Sequence, residues 1–162
     1  MKIQKIKEYP PTPVDMLGSK KTAMRTQFAA LCYRMRKGLP EVLMVTSRRT
    51  RRWIIPKGWP NHGMTPAQSA ALEALEEAGV EGRIYEVSIG LYTYAKQNAS
   101  RNDIPCAVSV FPLKVKTVHS KYLEKKQRRR KWMPPHKAAK LVQEPELAHL
   151  LRDFDPRRFS KV

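Results

Sequence analysis

The sequence predicts an α/β domain in which a mixed β-sheet is held between helices. Three observations carry that expectation: well-separated apolar runs of strand length, one strongly signalled helix near mid-chain, and two amphipathic segments at the C-terminal end. With 162 residues and 41% apolar content, the chain has the size and composition of one globular domain with its own core.

Residues 1–21, with Pro10, Pro11 and Pro13, read as an irregular arm, and residues 22–158 as the single folded domain. Residues 27–35 and 41–46 read as a hairpin around Lys37-Gly38-Leu39-Pro40, followed by a short strand at 53–55. The helix comes next. Thr65-Pro66-Ala67-Gln68 supplies an N-cap, a proline at the first helical position and a glutamine placed to complete a capping box. Gly79 marks the C-terminal stop. Residues 83–95 and 104–117 read as two further strands joined by the polar loop 96–103. Residues 134–142 and 144–154 read as terminal helices, the second apolar at Leu147, Leu150, Leu151 and Phe154.

Charge is distributed unevenly. The chain carries 32 Lys and Arg against 14 Asp and Glu, a net charge of +18. Yet from Gly58 to Gly82 there are four glutamates and no Lys or Arg. Glu73, Glu76 and Glu77 fall at i, i+3 and i+4, on one face of the last two helical turns, where the helix dipole is negative. Like charges at that spacing repel, and the helix holds no basic residue three or four positions away. A cation from outside the helix is needed. Magnesium suits the place because it takes carboxylate and phosphate oxygens together.

Two basic clusters flank this acidic helix: Arg48, Arg49, Arg51, Arg52 and Lys57 before it, and eleven Lys or Arg with one acid, Glu124, across residues 114–140. Gathered round one cleft, they make cationic walls over a metal-binding floor, which suits a small ligand carrying several phosphates. The alternative is that these runs are solvated faces. Nucleic acid ranks below the small ligand. The pI near 10.3 meets the electrostatic criterion, but charge alone gives salt-sensitive, non-specific affinity, and no zinc-finger or RNA-recognition signature is present. Trp132, Tyr122, Tyr92 and Tyr94 are more economically read as core than as stacking residues.

Cys32 and Cys106 lie in apolar runs and read as small core residues, and the four histidines show no metal-ligand spacing. No segment approaches a membrane span and the N-terminus lacks a signal-peptide stretch, so the expected location is cytoplasmic, with no membrane partner. Oligomeric state is not encoded legibly.

The segment from Gly58 to Val80 resembles the Nudix box, G-x5-E-x7-R-E-U-x-E-E-x-G-U, where U is aliphatic. Gly58, Glu73, Glu76, Glu77, Gly79 and Val80 stand at the required distances. Two positions depart: Met64 replaces the first glutamate and Leu72 replaces the arginine. Arg52-Trp53-Ile54-Ile55-Pro56-Lys57-Gly58 is similar to the strand and turn that lead into the box, and Arg130-Lys131-Trp132-Met133 to a stretch found late in several branches. The resemblance covers about residues 24–153. It implies an α/β/α sandwich and hydrolysis of a phosphoanhydride with Mg2+ or Mn2+. It further implies Glu73 and Glu77 as metal ligands, the Lys57 carbonyl as another, Glu76 as the base, and the Lys57 side chain as a phosphate contact.

Within the family, Ser47-Arg48, the R-W-I-I-P turn and the run Arg128-Arg129-Arg130 before Trp132 are most similar to the diphosphoinositol polyphosphate and diadenosine polyphosphate hydrolases. That likeness makes Ser47, Arg48, Arg128 and Arg130 substrate-phosphate candidates, while Lys131 stands where an acidic residue is common. The excess of cations leans towards an inositol polyphosphate, which needs mainly charge, over a nucleotide, which also needs stacking. A second function class is a Nudix-fold binding protein for RNA or nucleotides that lost catalysis with Met64 and Leu72. Retention of all three helix glutamates favours the enzyme, since a pure binder has no use for their mutual repulsion.

Overall fold

A computed structural model describes residues 24–96 and 103–160. The arm expected over 1–21 and most of the loop expected over 96–103 lie outside the described residues. β1 (Arg25–Arg36) and β2 (Leu39–Thr46) form the expected hairpin, closed by Lys37 and Gly38 at φ 50° and 76°. Two left-handed residues give a turn whose twist matches that of the strands. Alternation along β1 sends Phe28, Ala30 and Cys32 to one face and Ala29, Leu31 and Tyr33 to the other. All six are buried, so the sheet is covered on both sides.

β3 (Trp53–Ile54) pairs with β2, and β4 (Lys57–Gly58), read from sequence only as a turn, pairs with Phe28 and Ala29 of β1. The expected single strand over 83–95 is two strands, β5 (Val80–Ile84) and β6 (Gly90–Lys96), set end to end along β7 (Ile104–Val118). Pro112 gives the physical reason: it offers a carbonyl, taken by the Tyr85 N–H, but no N–H in return, so the ladder breaks there and the chain between Ile84 and Gly90 loops out. β8 (Arg130–Met133) pairs with β2. β1 and β7 run parallel and every other pair is antiparallel, in the order β3-β2-β1-β7-β5, which makes the sheet mixed as expected.

Helix α1 (Pro66–Glu73) continues into a π-helical turn, Ala74–Ala78, and stops at Gly79 with φ 67°. The capping box is formed: Thr65 Oγ1 accepts from the Gln68 N–H at 3.1 Å, and Gln68 Oε1 accepts from the Thr65 N–H at 3.0 Å. Its buried stripe is made of alanines, Ala67, Ala70, Ala74 and Ala78, set on Phe28, Ala30, Cys32, Leu43 and Val45. Small side chains let the helix backbone lie close to the sheet, and so bring its carboxylates down to the strand ends.

Helices α2 (Pro135–Leu141) and α3 (Pro145–Arg152) cover the opposite face through Ala138, Ala139, Leu147 and Leu151. The helix expected over 144–154 ends at Arg152, and a 3-10 turn, Pro156–Arg158, follows it. The result is the α/β/α sandwich, with one core on each side of the sheet. Both cysteines are free and buried in it. Among the described residues no helix is long and apolar enough to cross a membrane.

Candidate active site

The three helix glutamates do not share one environment. A π-helical turn closes at i+5 rather than i+4, so residues four apart come nearer the same azimuth than in an α-helix. Glu77 thereby lies over Glu73 and is buried, while Glu76 stays half-buried to one side. The Glu73 carboxylate rests on Gly58 of β4: a Cβ on Gly58 would stand 2.2 Å from Glu73 Cδ. The opening glycine of the box is therefore the floor for its first helix carboxylate.

Glu77 has two protein donors. Its Oε2 accepts from the Lys57 N–H at 3.3 Å, and its Oε1 lies 3.3 Å from Arg128 Nη2. Arg128 also donates to Glu124 Oε1 at 3.2 Å and, through Nη1, to the Thr46 carbonyl at 3.2 Å. The Glu124 N–H donates in turn to the Glu76 carbonyl at 2.9 Å, which ties the basic segment to the helix end. A cation thus does come from outside the helix, and within this chain it is Arg128.

Burial pushes the Glu73 carboxyl up to about 7, helped by the negative charge of Glu76 and Glu124 and opposed by Arg128 and Lys57. Burial also raises Glu77 to about 7; Arg128 and Lys57 pull it down, and Glu73 and Glu124 push it up. Desolvation wins over the arginine even at contact distance, so the pair leaves negative charge incompletely compensated. The amine of Lys57 shows the converse. Burial lowers it first, Glu77 raises it, and Arg128, Arg52 and Lys96 lower it further. Four cations, Lys57, Arg52, Lys96 and Arg128, and four carboxylates, Glu73, Glu76, Glu77 and Glu124, therefore converge where β4 meets the helix end; all the cations but Lys96 come from the two flanking basic clusters.

The residues expected to hold substrate phosphate are distributed differently. Ser47 holds its own turn, with Oγ accepting from the Arg52 N–H at 3.1 Å and 2.7 Å from the Thr50 hydroxyl. Arg48, with a side chain 62% exposed, stands at the rim, 3.8 Å from Glu124. Arg128 faces inward to carboxylates, and Arg130 donates to the Ala78 and His119 carbonyls at 2.7 and 2.8 Å with its guanidinium over Tyr122. Both arginines are engaged by protein acceptors at the helix end, because the C-terminal carbonyls and buried carboxylates there need donors. Lys57 lies over the ring of Tyr94, 4.6 Å away, at the inner wall. Of the two departures from the box, Met64 sits in the turn before Thr65, and Leu72 lines a groove with Leu75 and Leu113, away from Glu77.

Sequence reasoning did not single out Glu124, Arg52 or Lys96 as site residues. Glu124 carried a readable signal as the one acid among eleven cations between residues 114 and 140. Arg52 is fixed by an ion pair with Glu144 across 92 positions, which local pattern cannot show. Among the described residues no three His, Cys, Asp or Glu side chains are already gathered in a metal-binding cluster. The donor chemistry nevertheless fits a hard divalent cation: two neighbouring carboxylates, Glu73 and Glu77, with Glu73 cradled on a glycine that leaves it room.

The NUDIX domain family model matches residues 24–154. Nudix hydrolase 12, mitochondrial, from Arabidopsis thaliana is 31% identical over 117 residues, covering 70% of this chain and 58% of that protein. Human diphosphoinositol polyphosphate phosphohydrolase 3-alpha is 37% identical over 70 residues, covering 43% of this chain and 40% of that protein. The chain spans less than two thirds of the length of these curated relatives. The Ap4A hydrolase of C. elegans has the same fold, with a TM-score of 0.57 and 23% identity, covering 80% of this chain and 94% of that one. With the box helix, its two glycines and the α/β/α sandwich in place and the family model spanning most of its length, the chain belongs to the NUDIX domain family.

Proposed function

We propose that this domain hydrolyses a phosphoanhydride bond in a polyphosphorylated small molecule, of the dinucleoside polyphosphate or diphosphoinositol polyphosphate class, with Mg2+ or Mn2+ held by Glu73 and Glu77. The observation that carries the reading is the pairing of two neighbouring carboxylates, Glu73 on Gly58 and Glu77 on the Lys57 N–H, with the ammonium groups of Lys57 and Lys96, which lie over Tyr94 and Trp59. Neither half is electrostatically complete. A divalent cation completes the carboxylates and a polyphosphate completes the cations.

When bound, the cation neutralises phosphate oxygens and orients the attacking water. The protein groups do the rest. Glu76, half-buried beside Glu73, takes the proton of the water as its oxygen bonds to phosphorus. The bridging P–O bond breaks and its electron pair leaves on the departing phosphate, whose charge falls against Lys57 and Lys96. Arg128 and Gly58 position Glu77 and Glu73, and Arg130 closes the helix end behind them.

A phosphate-release screen with Mg2+ over dinucleoside polyphosphates, diphosphoinositol phosphates, nucleotide sugars and triphosphorylated RNA tests the reading. Turnover is expected, and Glu77→Gln should abolish it. An unchanged rate in that variant would remove Glu77 from the metal site. Binding without turnover across the whole panel would favour a Nudix-fold binding protein instead.

A further inference from the structure

Trp59 follows Gly58, so its Cα stands one peptide, about 3.8 Å, from the backbone on which the Glu73 carboxylate rests. It is the one exposed aromatic side chain among the described residues, at 39% exposure. Trp53 and Trp132 are instead packed against the two cores. A lone exposed hydrophobic side chain is ordinary; its position and its partner set this one apart. Lys96 Nζ lies over the indole, 4.8 Å from the ring centre, as Lys57 Nζ lies over Tyr94. Tyr94 and Lys96 stand two residues apart on β6 and so share a face of it, the face over which Lys57 lies. β4 and β6 therefore bring an exposed ring, two ammonium groups and the box carboxylates into one row.

Each member of that row matches a different part of a nucleotide. A flat indole offers its face to a base, the ammonium groups offer charge to phosphates, and the carboxylates offer a seat for the cation that the phosphates also bind. An inositol polyphosphate has phosphates and hydroxyls on a puckered ring and nothing to stack.

We propose that Trp59, backed by Lys96, is a nucleobase platform, and that the substrate is a nucleoside or dinucleoside polyphosphate rather than an inositol polyphosphate. The substrate assignment rests on the hydrolase reading; the platform itself does not. It reverses the lean towards inositol polyphosphate that net charge alone suggested, because charge serves both ligands and stacking serves one.

The test is a binding titration of the full chain in EDTA, so that nothing is turned over, with diadenosine tetraphosphate, inorganic tripolyphosphate and inositol hexakisphosphate. Trp59→Ala should weaken the dinucleotide roughly ten- to a hundredfold and leave tripolyphosphate within about twofold, with Trp59→Phe keeping most of the affinity. Lys96→Ala should weaken both ligands. Trp59 is exposed, so its variants should melt with the parent, and a melt on each confirms that. Equal loss for dinucleotide and tripolyphosphate, no loss for either, or preferential binding of inositol hexakisphosphate overturns the platform. If the binding pattern appears as expected but no nucleotide is turned over with Mg2+, the hydrolase reading falls and the platform stands.

Discussion

Arg128 Nη2 lies 3.3 Å from Glu77 Oε1, 51 residues away in sequence, and the two side chains are 8% and 7% exposed. A pair this deeply buried is costly to break, because removing one partner leaves the other as an uncompensated charge, on the order of 3–5 kcal/mol. Arg128→Ala is therefore expected to destabilise the protein strongly in denaturant unfolding. Glu77→Gln made in that background should cost less than it does alone, and a double-mutant cycle in which the two effects simply add would mean that they do not interact. Arg128→Lys should keep only part of the stability, since lysine lacks the planar fork that reaches Glu77, Glu124 and the Thr46 carbonyl together.

Stability of the metal-free protein should fall as pH rises. Glu73 and Glu77 are raised to about 7 from an ordinary value of 4.5, so between those limits the folded state binds more protons than the unfolded one. Their contribution is full below about 4.5 and is lost as pH climbs through 7. Melts in EDTA at pH 5.5 and pH 8 should show the higher midpoint at pH 5.5. Mg2+ should raise the midpoint more at pH 8, where no proton competes for the carboxylates. Replacing both glutamates by glutamine should flatten the dependence; a slope that survives that double change belongs to other groups.

What was legible in the sequence was whatever depends on near neighbours. The capping box needs only Thr65 and Gln68, the hairpin only the Lys37-Gly38 turn, and the helix stop only Gly79, and all three formed. The glutamate face was readable from spacing, but the π-helical turn that separates Glu76 from Glu73 and Glu77 was not, because the sequence around it is compatible with an ordinary turn. The protein acceptors of Arg128 and Arg130 were hidden for a related reason. A run of cations reads as a ligand surface until the fold shows buried acceptors beneath it, and Glu77 and Ala78 come from a segment some fifty residues earlier.

Gly58→Ala separates folding from function. The added Cβ would meet the Glu73 carboxylate at 2.2 Å, and that group is the far end of a flexible side chain that can swing away. Gly58 has no positive φ, so alanine brings no backbone strain. The expected outcome is a melting midpoint close to the parent's together with weaker Mg2+ affinity by calorimetry and a fall in turnover of tenfold or more, on the order of 1.4 kcal/mol. Full activity in this variant would mean that Glu73 does not need its place on β4.

Arg130→Ala tests whether that guanidinium serves the fold or the substrate. It donates to two carbonyls, Ala78 and His119, just where Gly79 ends the helix, and a cation there also complements the helix dipole. Charged hydrogen bonds of this kind are worth about 1.5–3 kcal/mol each, so the variant should lose stability measurably. Loosening the helix end should misplace Glu76 and Glu77, which lowers kcat more than it raises KM. A residue that grips substrate phosphate behaves in the opposite way: its loss raises KM steeply and leaves the melting midpoint alone. Steady-state kinetics and a thermal melt on the same preparation distinguish the two, and an Arg130→Ala variant that raises KM steeply while melting with the parent would return Arg130 to the substrate side.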